Sequence, residues 1–250
     1  MHIKEYRRLF NRLNKYSDIR NLSKKTNYDE ELLLVLYTQK IVRKATSRFY
    51  KVKSRSKELH RKWKKGQTIY EISKSIDFPP VLLGLLILTD EGITRKVYRN
   101  MLNDLSKAPT KRLRRELEEV IQKDHIYSPN GYEVQYKRGK FSEKAINEWL
   151  DDRGLKFRVE AELRNTYPKT PDFLLDTPIN VRGTEIFWIE SKATFGDAHE
   201  IHKNLKSQLK PYSELFGPGM VIYWFGFISP SPLTDGILIE SKEFLDEWEE

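Results

Sequence analysis

The hydrophobic pattern changes near the middle of the 250-residue chain, and this change restricts its folds more than any other feature. In the first half, apolar residues such as Tyr6, Leu9 and Leu13 recur at three- and four-residue steps, which is typical of amphipathic helices. In the second half, β-rich runs such as Ile186–Glu190 alternate with helical segments. This pattern predicts an α+β chain: an all-α region and then an α/β domain with a mixed sheet, separated at Ser128-Pro129-Asn130-Gly131.

The charge divides at nearly the same point. Residues 1–125 contain 30 Lys and Arg against 15 Asp and Glu, a net charge of +15, whereas residues 126–250 contain 15 against 21, a net charge of −6. A strongly basic half attracts polyanions, and nucleic acid is the usual one inside cells. A highly solvated basic helical surface is the alternative. We therefore predict a nucleic-acid-binding region over residues 1–127 and a second domain over residues 128–250.

Composition excludes several classes of protein. The chain has no cysteine, which excludes a disulfide scaffold, a zinc finger built on cysteine and a thiol nucleophile. The longest apolar run, Val81–Leu88, is far shorter than the about 20 residues that cross a bilayer, and the first residues do not resemble a signal peptide. We expect a soluble protein with no membrane partner, cytoplasmic and nucleoid-associated, or nuclear if its source is eukaryotic.

Residues 68–88 have the outline of a helix-turn-helix module. Thr68 begins a short helix, a turn follows at Asp77–Pro80, and a second helix covers Val81–Leu88. A purely structural helical hairpin fits the same outline. Because the second helix is almost wholly apolar, we expect it to be buried, with nearby cations contacting phosphates instead. The candidate nucleic-acid-binding residues are Lys62, Lys64, Lys65, Lys74, Arg112 and Arg115.

Two carboxylates and a lysine occur at the ends of predicted strands in the second half. Pro171-Asp172 opens one strand, and Glu190-Ser191-Lys192 ends the next. Carboxylates on adjacent strand ends, with Glu143 on a packed helix, can bind one or two hard cations such as Mg²⁺. Lys192 shares a face with Glu190 because strand side chains alternate. Together, these residues predict hydrolysis of a phosphodiester bond. Taken one at a time, the alternatives are that Asp172 is an ordinary turn residue and that Glu190 and Lys192 form a surface ion pair.

These residues resemble the PD-(D/E)XK nuclease superfamily, which includes restriction endonucleases and Holliday junction resolvases. The order of predicted elements is similar to the αβββαβ core of that superfamily, and Glu143–Gly154 is similar to its first helix. Thr170-Pro171-Asp172 together with Gly217-Pro218-Gly219 resembles, more particularly, the archaeal and eukaryotic family named for its TPD motif. That family joins N-terminal helix-turn-helix segments to a C-terminal nuclease domain, an arrangement that would cover the whole chain.

The resemblance implies metal ligands. Asp172 and Glu190 would bind Mg²⁺ or Mn²⁺, with the Ser191 carbonyl as a further oxygen ligand. Glu143 would be the helix carboxylate, bound directly or through water. Resolvase relatives act as dimers, which favours a homodimer for this chain as well.

The resemblance also implies two residues that act beside the metal. Lys192 would be the catalytic lysine, and Gln208, on the long helix after the motif, would assist the site. The function expected is a Mg²⁺-dependent endonuclease that acts on DNA rather than RNA, with structured or branched DNA as a candidate substrate. The alternative is a non-catalytic nucleic-acid-binding or scaffold protein with a nuclease-like fold.

Overall fold

The computed structural model describes residues 1–232, 234 and 236–248, and the chain forms two compact units. The first unit combines residues 1–37 with residues 137 onward, and the second contains residues 38–136. The predicted boundary after residue 127 does not coincide with either point at which the chain changes unit. Each unit has its own apolar core, so each is described separately below.

The helices in chain order are α1 (Ile3–Arg12), α2 (Ser17–Ser23), α3 (Glu30–Lys53), α4 (Ser56–Lys64), α5 (Ile69–Ile76), α6 (Pro80–Thr89), α7 (Arg95–Asn103), α8 (Lys111–Lys123), α9 (Pro129–Asp152), α10 (Glu160–Leu163), α11 (Ala198–Asn204), α12 (Lys210–Phe216) and α13 (Phe244–Glu247). A 3₁₀ turn covers Leu105–Lys107, and a π-helical turn covers Leu205–Leu209 between α11 and α12. The helical N-terminal part that the apolar spacing predicts is therefore confirmed.

A five-stranded mixed sheet lies in the first unit. Its strands are β1 (Phe157–Val159), β2 (Phe173–Val181), β3 (Thr184–Lys192), β4 (Gly219–Tyr223) and β5 (Ile237–Ser241), in the spatial order β1-β2-β3-β4-β5. The β1–β2 and β2–β3 pairs are antiparallel, whereas the β3–β4 and β4–β5 pairs are parallel. The helical segment α11–α12 connects the parallel strands β3 and β4, as parallel neighbours require a crossover.

Apolar clusters cover both faces of this sheet. The cluster on the α9 face includes Ile146, Trp149, Leu150, Ile189 and Ile222. The cluster on the opposite face includes Leu9, Leu13, Trp188, Leu209 and Tyr223. The apolar stripe of α1 is thus buried with the sheet, which is why residues 1–37 belong to the first unit and not to the predicted N-terminal region.

The segment Ser128-Pro129-Asn130-Gly131 does not break the chain as predicted but begins α9. Pro129 is the first helical residue, a position where proline loses no helical hydrogen bond. The Ser128 hydroxyl accepts a hydrogen bond from the Gly131 N–H at 3.2 Å, which caps the helix. A Cβ at Gly131 would lie 2.4 Å from the His125 carbonyl oxygen, so the glycine permits a close approach of two backbone segments.

The second unit is helical around one apolar core. Thr68 caps α5 in a reciprocal capping box with Glu71, and α5 and α6 meet at 115° across the predicted turn. Helix α6 is buried as expected, with Leu83, Ile87 and Leu88 fully enclosed. Within the described residues no single helix is long and apolar enough to cross a membrane, although the bent α5–α6 pair passes that test by length and composition.

Candidate active site

Asp172 and Glu190 lie side by side at one end of the antiparallel pair β2–β3. Phe173 pairs with Ile189, so the residue before Phe173 lies next to the residue after Ile189. The backbone N–H of Asp172 donates to Glu190 Oε2 at 3.2 Å, and the backbone N–H of Ser191 donates to Asp172 Oδ2 at 2.8 Å. The strand register therefore brings together the two carboxylates that the sequence pattern selected.

Both carboxylates have a raised pKa, and burial is the largest cause for each. Burial and the neighbouring Glu190 charge raise the pKa of Asp172 to about 7, despite the hydrogen bond from Ser191 and the charge of Lys192. Burial also raises the pKa of Glu190, although Lys192 beside it acts in the opposite direction. The two carboxylates share one ammonium group, so ionisation of both would leave one negative charge without a partner, and the raised pKa values favour keeping a proton instead.

Lys192 points to the same side of β3 as Glu190, as the alternation of strand side chains predicts. Its Nζ donates to Glu190 Oε1 and, at 2.8 Å, to Gln208 Oε1. Gln208 lies in the π-helical turn Leu205–Leu209, which interrupts the single long helix that the sequence predicts. Such turns insert one extra residue and are frequent at functional sites. This one places the Gln208 amide against the candidate catalytic lysine.

Glu143 approaches the same site from α9. Its charge contributes to the raised pKa of Asp172, which places it within electrostatic reach of that carboxylate. Its Oε2 accepts a hydrogen bond from Lys140 Nζ at 2.7 Å, one helical turn earlier. The adjacent Ser142 is buried, and its Oγ lies 3.0 Å from Ser191 Oγ. This serine pair ties the turn of α9 that carries Glu143 to the end of β3.

A further acidic residue of the site, Glu160, is missed by the sequence analysis. It begins α10, and its backbone N–H donates to the Asp172 carbonyl at 3.2 Å. Its charge contributes to the raised pKa of Glu190. The sequence around it, Lys156–Arg164, favours one extended segment, whereas in the structure β1 ends at Val159 and α10 begins at Glu160.

The oxygen donors of the site fit a hard divalent cation. The carboxylates of Asp172 and Glu190 and the carbonyl of Ser191 are the ligand type that Mg²⁺ and Mn²⁺ prefer. Such a cation would neutralise the negative charge that the two carboxylates carry when both are ionised. Within residues 1–232, 234 and 236–248, no group of three or more His, Cys, Asp and Glu side chains is arranged to hold a metal. Carbonyl and water oxygens would therefore have to complete the coordination.

In a chelator, the free energy of unfolding should fall as the pH rises through about 7. The pKa of Asp172 is about 7 in the folded protein against an ordinary 3.8, so folding takes up a proton between these values. The contribution of Asp172 to the free energy of unfolding is fully present below its pKa in the unfolded chain, and it is lost as the pH rises to its pKa in the folded protein. Thermal unfolding between about pH 5 and about pH 8 checks this. Asp172→Asn should flatten the dependence, and a wild-type slope no steeper than that of the variant would contradict it.

The six predicted nucleic-acid-binding residues lie in the second unit, on α4, α5, α8 and the turn after α4. Arg112 is engaged within the unit, since it donates to Glu116 at 2.7 Å and to the Trp63 carbonyl at 2.8 Å. Lys64 pairs with Glu91 at 2.8 Å. The remaining members include exposed side chains at Lys65, Lys74 and Arg115. Their contact with nucleic acid remains a prediction.

The motif Gly217-Pro218-Gly219 has a structural role beside the site. Gly217 has φ of 89°, and its carbonyl accepts the indole N–H of Trp188 at 2.9 Å. A Cβ at Gly219 would lie 1.9 Å from the same indole ring. The motif ends the helical segment and allows β4 to begin directly against the tryptophan that lies two residues before Glu190.

Comparison with known proteins identifies similar sequences. The model of a family described as "Protein of unknown function TPD sequence-motif" matches residues 109–242. CDAN1-interacting nuclease 1 of Danio rerio is 37% identical over 169 residues, which cover 64% of this chain and 56% of the relative. The Bos taurus and Homo sapiens proteins of the same name are 36% and 35% identical over 168 residues, which cover 64% of this chain and 60% of each relative.

The chain thus spans little more than half of the length of these curated relatives. No solved structure gives a significant match.

Proposed function

The chain belongs to the family defined by the TPD sequence motif, and from this premise we propose that it is a metal-dependent nuclease of the PD-(D/E)XK type that hydrolyses phosphodiester bonds in DNA. The observation that carries the proposal is the cluster of the buried Glu190 with the partly buried Asp172 and Lys192, in which Gln208 is bonded to the lysine. The name of the relatives, CDAN1-interacting nuclease, supports the same reaction class.

Asp172, Glu190 and the Ser191 carbonyl would hold the cation, with Glu143 reaching it through water. When bound, Mg²⁺ or Mn²⁺ supplies a Lewis acid that polarises the phosphoryl oxygen and favours hydroxide near neutral pH. The carboxylates of Asp172 and Glu190, whose raised pKa favours protonation, would give up that proton on holding the cation.

Apart from the cation, the positive charge of the site comes from the side chain of Lys192. Its Nζ is held between Glu190 Oε1 and Gln208 Oε1, so two acceptors orient one ammonium group that carries three donors. The third donor can orient an attacking water or stabilise the charge that grows on the phosphate oxygens. Gln208 acts through Lys192 and is therefore a positioning residue.

We propose that the second unit supplies most of the affinity for DNA. Residues 38–136 contain 22 Lys and Arg against 11 Asp and Glu, a net charge of +11. An acidic metal site repels a polyanion until a divalent cation binds, so the attraction must come from elsewhere in the chain. We also propose that the chain forms a homodimer and that it binds a protein partner, as the name of the relatives indicates for them. Its proposed location is nucleoid-associated, or nuclear if its source is eukaryotic.

A panel of end-labelled DNAs tests the proposal: continuous duplex, single strand, flap and four-way junction, each with Mg²⁺, Mn²⁺ or chelator. We expect the full chain to cleave at least one of them with either cation and none in chelator. Binding of every substrate with no cleavage under any condition would contradict the proposal and favour the non-catalytic scaffold. Cleavage that persists in chelator would contradict the metal dependence.

A further inference from the structure

The second unit contains a pocket of about 420 Å³ to which neither the motif nor the comparisons assign a role. Helices α6 and α7 and the segment that leads into α9 form its walls. Its buried lining is mostly apolar or aromatic, with Val81, Tyr98, Leu102 and Ile126 among its members and Ser128 as a buried polar residue. This volume lies within the range of about 300–1,000 Å³ that small-molecule sites occupy. This volume is large enough for a planar heteroaromatic ring such as a nucleobase.

Two arginines stand at the edge of the pocket. Arg95 and Arg99 are one helical turn apart on α7, so they lie on the same face of that helix, and both are exposed. The sequence of α7 contains Lys96 between them and no Asp or Glu. A pair of guanidinium groups at this spacing can bind a phosphate through parallel hydrogen bonds.

Exposed aromatic surface adjoins the arginines. The Tyr132 side chain lines the pocket and is 66% exposed. Its ring stacks on that of Tyr136, with centroids 6.5 Å apart and planes at 13°, which leaves its other face for a ligand. Tyr127 also lines the pocket and is half-buried. Stacking of a base on an aromatic ring requires no particular sequence, since every base has a planar face.

We propose that this pocket binds one unpaired nucleotide of the DNA, with the base beside Tyr132 and Tyr127 and the phosphate on Arg95 and Arg99. The net charge of the unit favours a polyanion over an uncharged metabolite. Bases of a continuous duplex are stacked inside the helix and cannot enter, so the pocket selects single-stranded, flapped or branched DNA. The identification of the ligand as DNA rests on the proposed function. The pocket then specifies which class of DNA that function acts on.

Binding without cleavage tests this site independently of the nuclease reaction. Fluorescence anisotropy in chelator would compare the full chain with Tyr132→Ala and with the double variant Arg95→Ala/Arg99→Ala. The probes are a labelled single strand, a duplex with one unpaired nucleotide and a continuous duplex. Lys96→Ala is the control on α7, because it removes a charge from the same helix without lining the pocket. Tyr50→Ala is the control for an exposed tyrosine of the same unit, 81% exposed and outside the pocket.

We expect wild type to bind both probes with unpaired nucleotides more tightly than the continuous duplex. Tyr132→Ala should weaken binding of these two probes about fivefold or more and leave duplex binding unchanged. Tyr132→Phe should retain the wild-type preference, which guards against loss through misfolding. Equal losses for all three DNAs, or losses no larger than those of Lys96→Ala and Tyr50→Ala, would overturn the proposal.

A photocrosslink gives the second readout. A single strand with one 4-thiothymidine should crosslink to peptides containing Tyr127 or Tyr132, and competition by unlabelled single strand should remove the product. Competition by a short acidic peptide but not by the single strand would show a protein-binding pocket and overturn the proposal. Failure of all cleavage assays would leave these binding results unaffected, so the two failures are distinguishable.

Discussion

Replacement of Lys192 by methionine should lower single-turnover cleavage by about a thousandfold and leave DNA affinity nearly unchanged. The lysine carries the ammonium group beside the carboxylates of Asp172 and Glu190 and is held by Glu190 and Gln208. Methionine keeps most of the length and the apolar packing of the side chain but removes every donor. Because the lysine lies in the acidic site and not in the basic unit, its loss should change the chemical step and not the encounter with DNA.

Lys144→Met is the matched control for this substitution. Lys144 is an exposed residue of α9 that pairs with Glu148 at 3.0 Å. The same loss of charge there should leave the cleavage rate within about twofold of wild type, since an exposed pair contributes little. Calorimetric titration with Mn²⁺ above pH 8 should show that the Lys192 variant still binds the cation. Equal rates for the two variants would contradict a catalytic role for Lys192.

The second large effect concerns stability. Gly219→Ala should destabilise the protein by about 3 kcal/mol or more, because the added Cβ would lie 1.9 Å from the indole of Trp188. The indole has no exposed surface, and its N–H is bonded to the Gly217 carbonyl, so it cannot swing aside without breaking that bond. The strand β4 must instead move away from β3, next to the residues that carry the site.

Gly139→Ala is the control for that substitution. Gly139 lies inside α9 and has no neighbouring atom within 4 Å of an added Cβ. The alanine should stabilise the helix by about 0.5–1 kcal/mol, since it lowers the conformational freedom lost on folding. Urea unfolding of both variants, followed by tryptophan fluorescence, checks the pair. A Gly219 variant as stable as wild type would show that the glycine is not required by this packing.

Much of the site could be predicted from the sequence because it depends on local strand geometry. Asp172 directly precedes one strand and Glu190 lies near the end of the next, so an antiparallel pair with a short connection must place them together. The two-residue step from Glu190 to Lys192 fixes the face on which the lysine lies. These relations need only the strand assignments and no knowledge of the rest of the fold.

The rest depends on contacts between distant segments. Glu160 joins the site only because its backbone pairs with Asp172. The π turn around Gln208 cannot be distinguished from a regular helix by apolar spacing. The apolar stripe of α1 predicts a helix but not its packing partner, which is the sheet of the first unit. Ser128-Pro129 is also ambiguous in sequence, because the two residues suit both a linker and the start of a helix.

The most direct test of the central claim is single-turnover cleavage by wild type, Asp172→Asn and Asp176→Asn, with Mg²⁺ and in chelator. Asp176 is an exposed carboxylate of β2, the strand that directly follows Asp172, and it pairs with Arg158, so its substitution is the matched control. We expect cleavage by wild type and Asp176→Asn only with Mg²⁺, and a loss of about a thousandfold in Asp172→Asn with its DNA affinity retained. Cleavage by Asp172→Asn at the wild-type rate would contradict the assignment of this site.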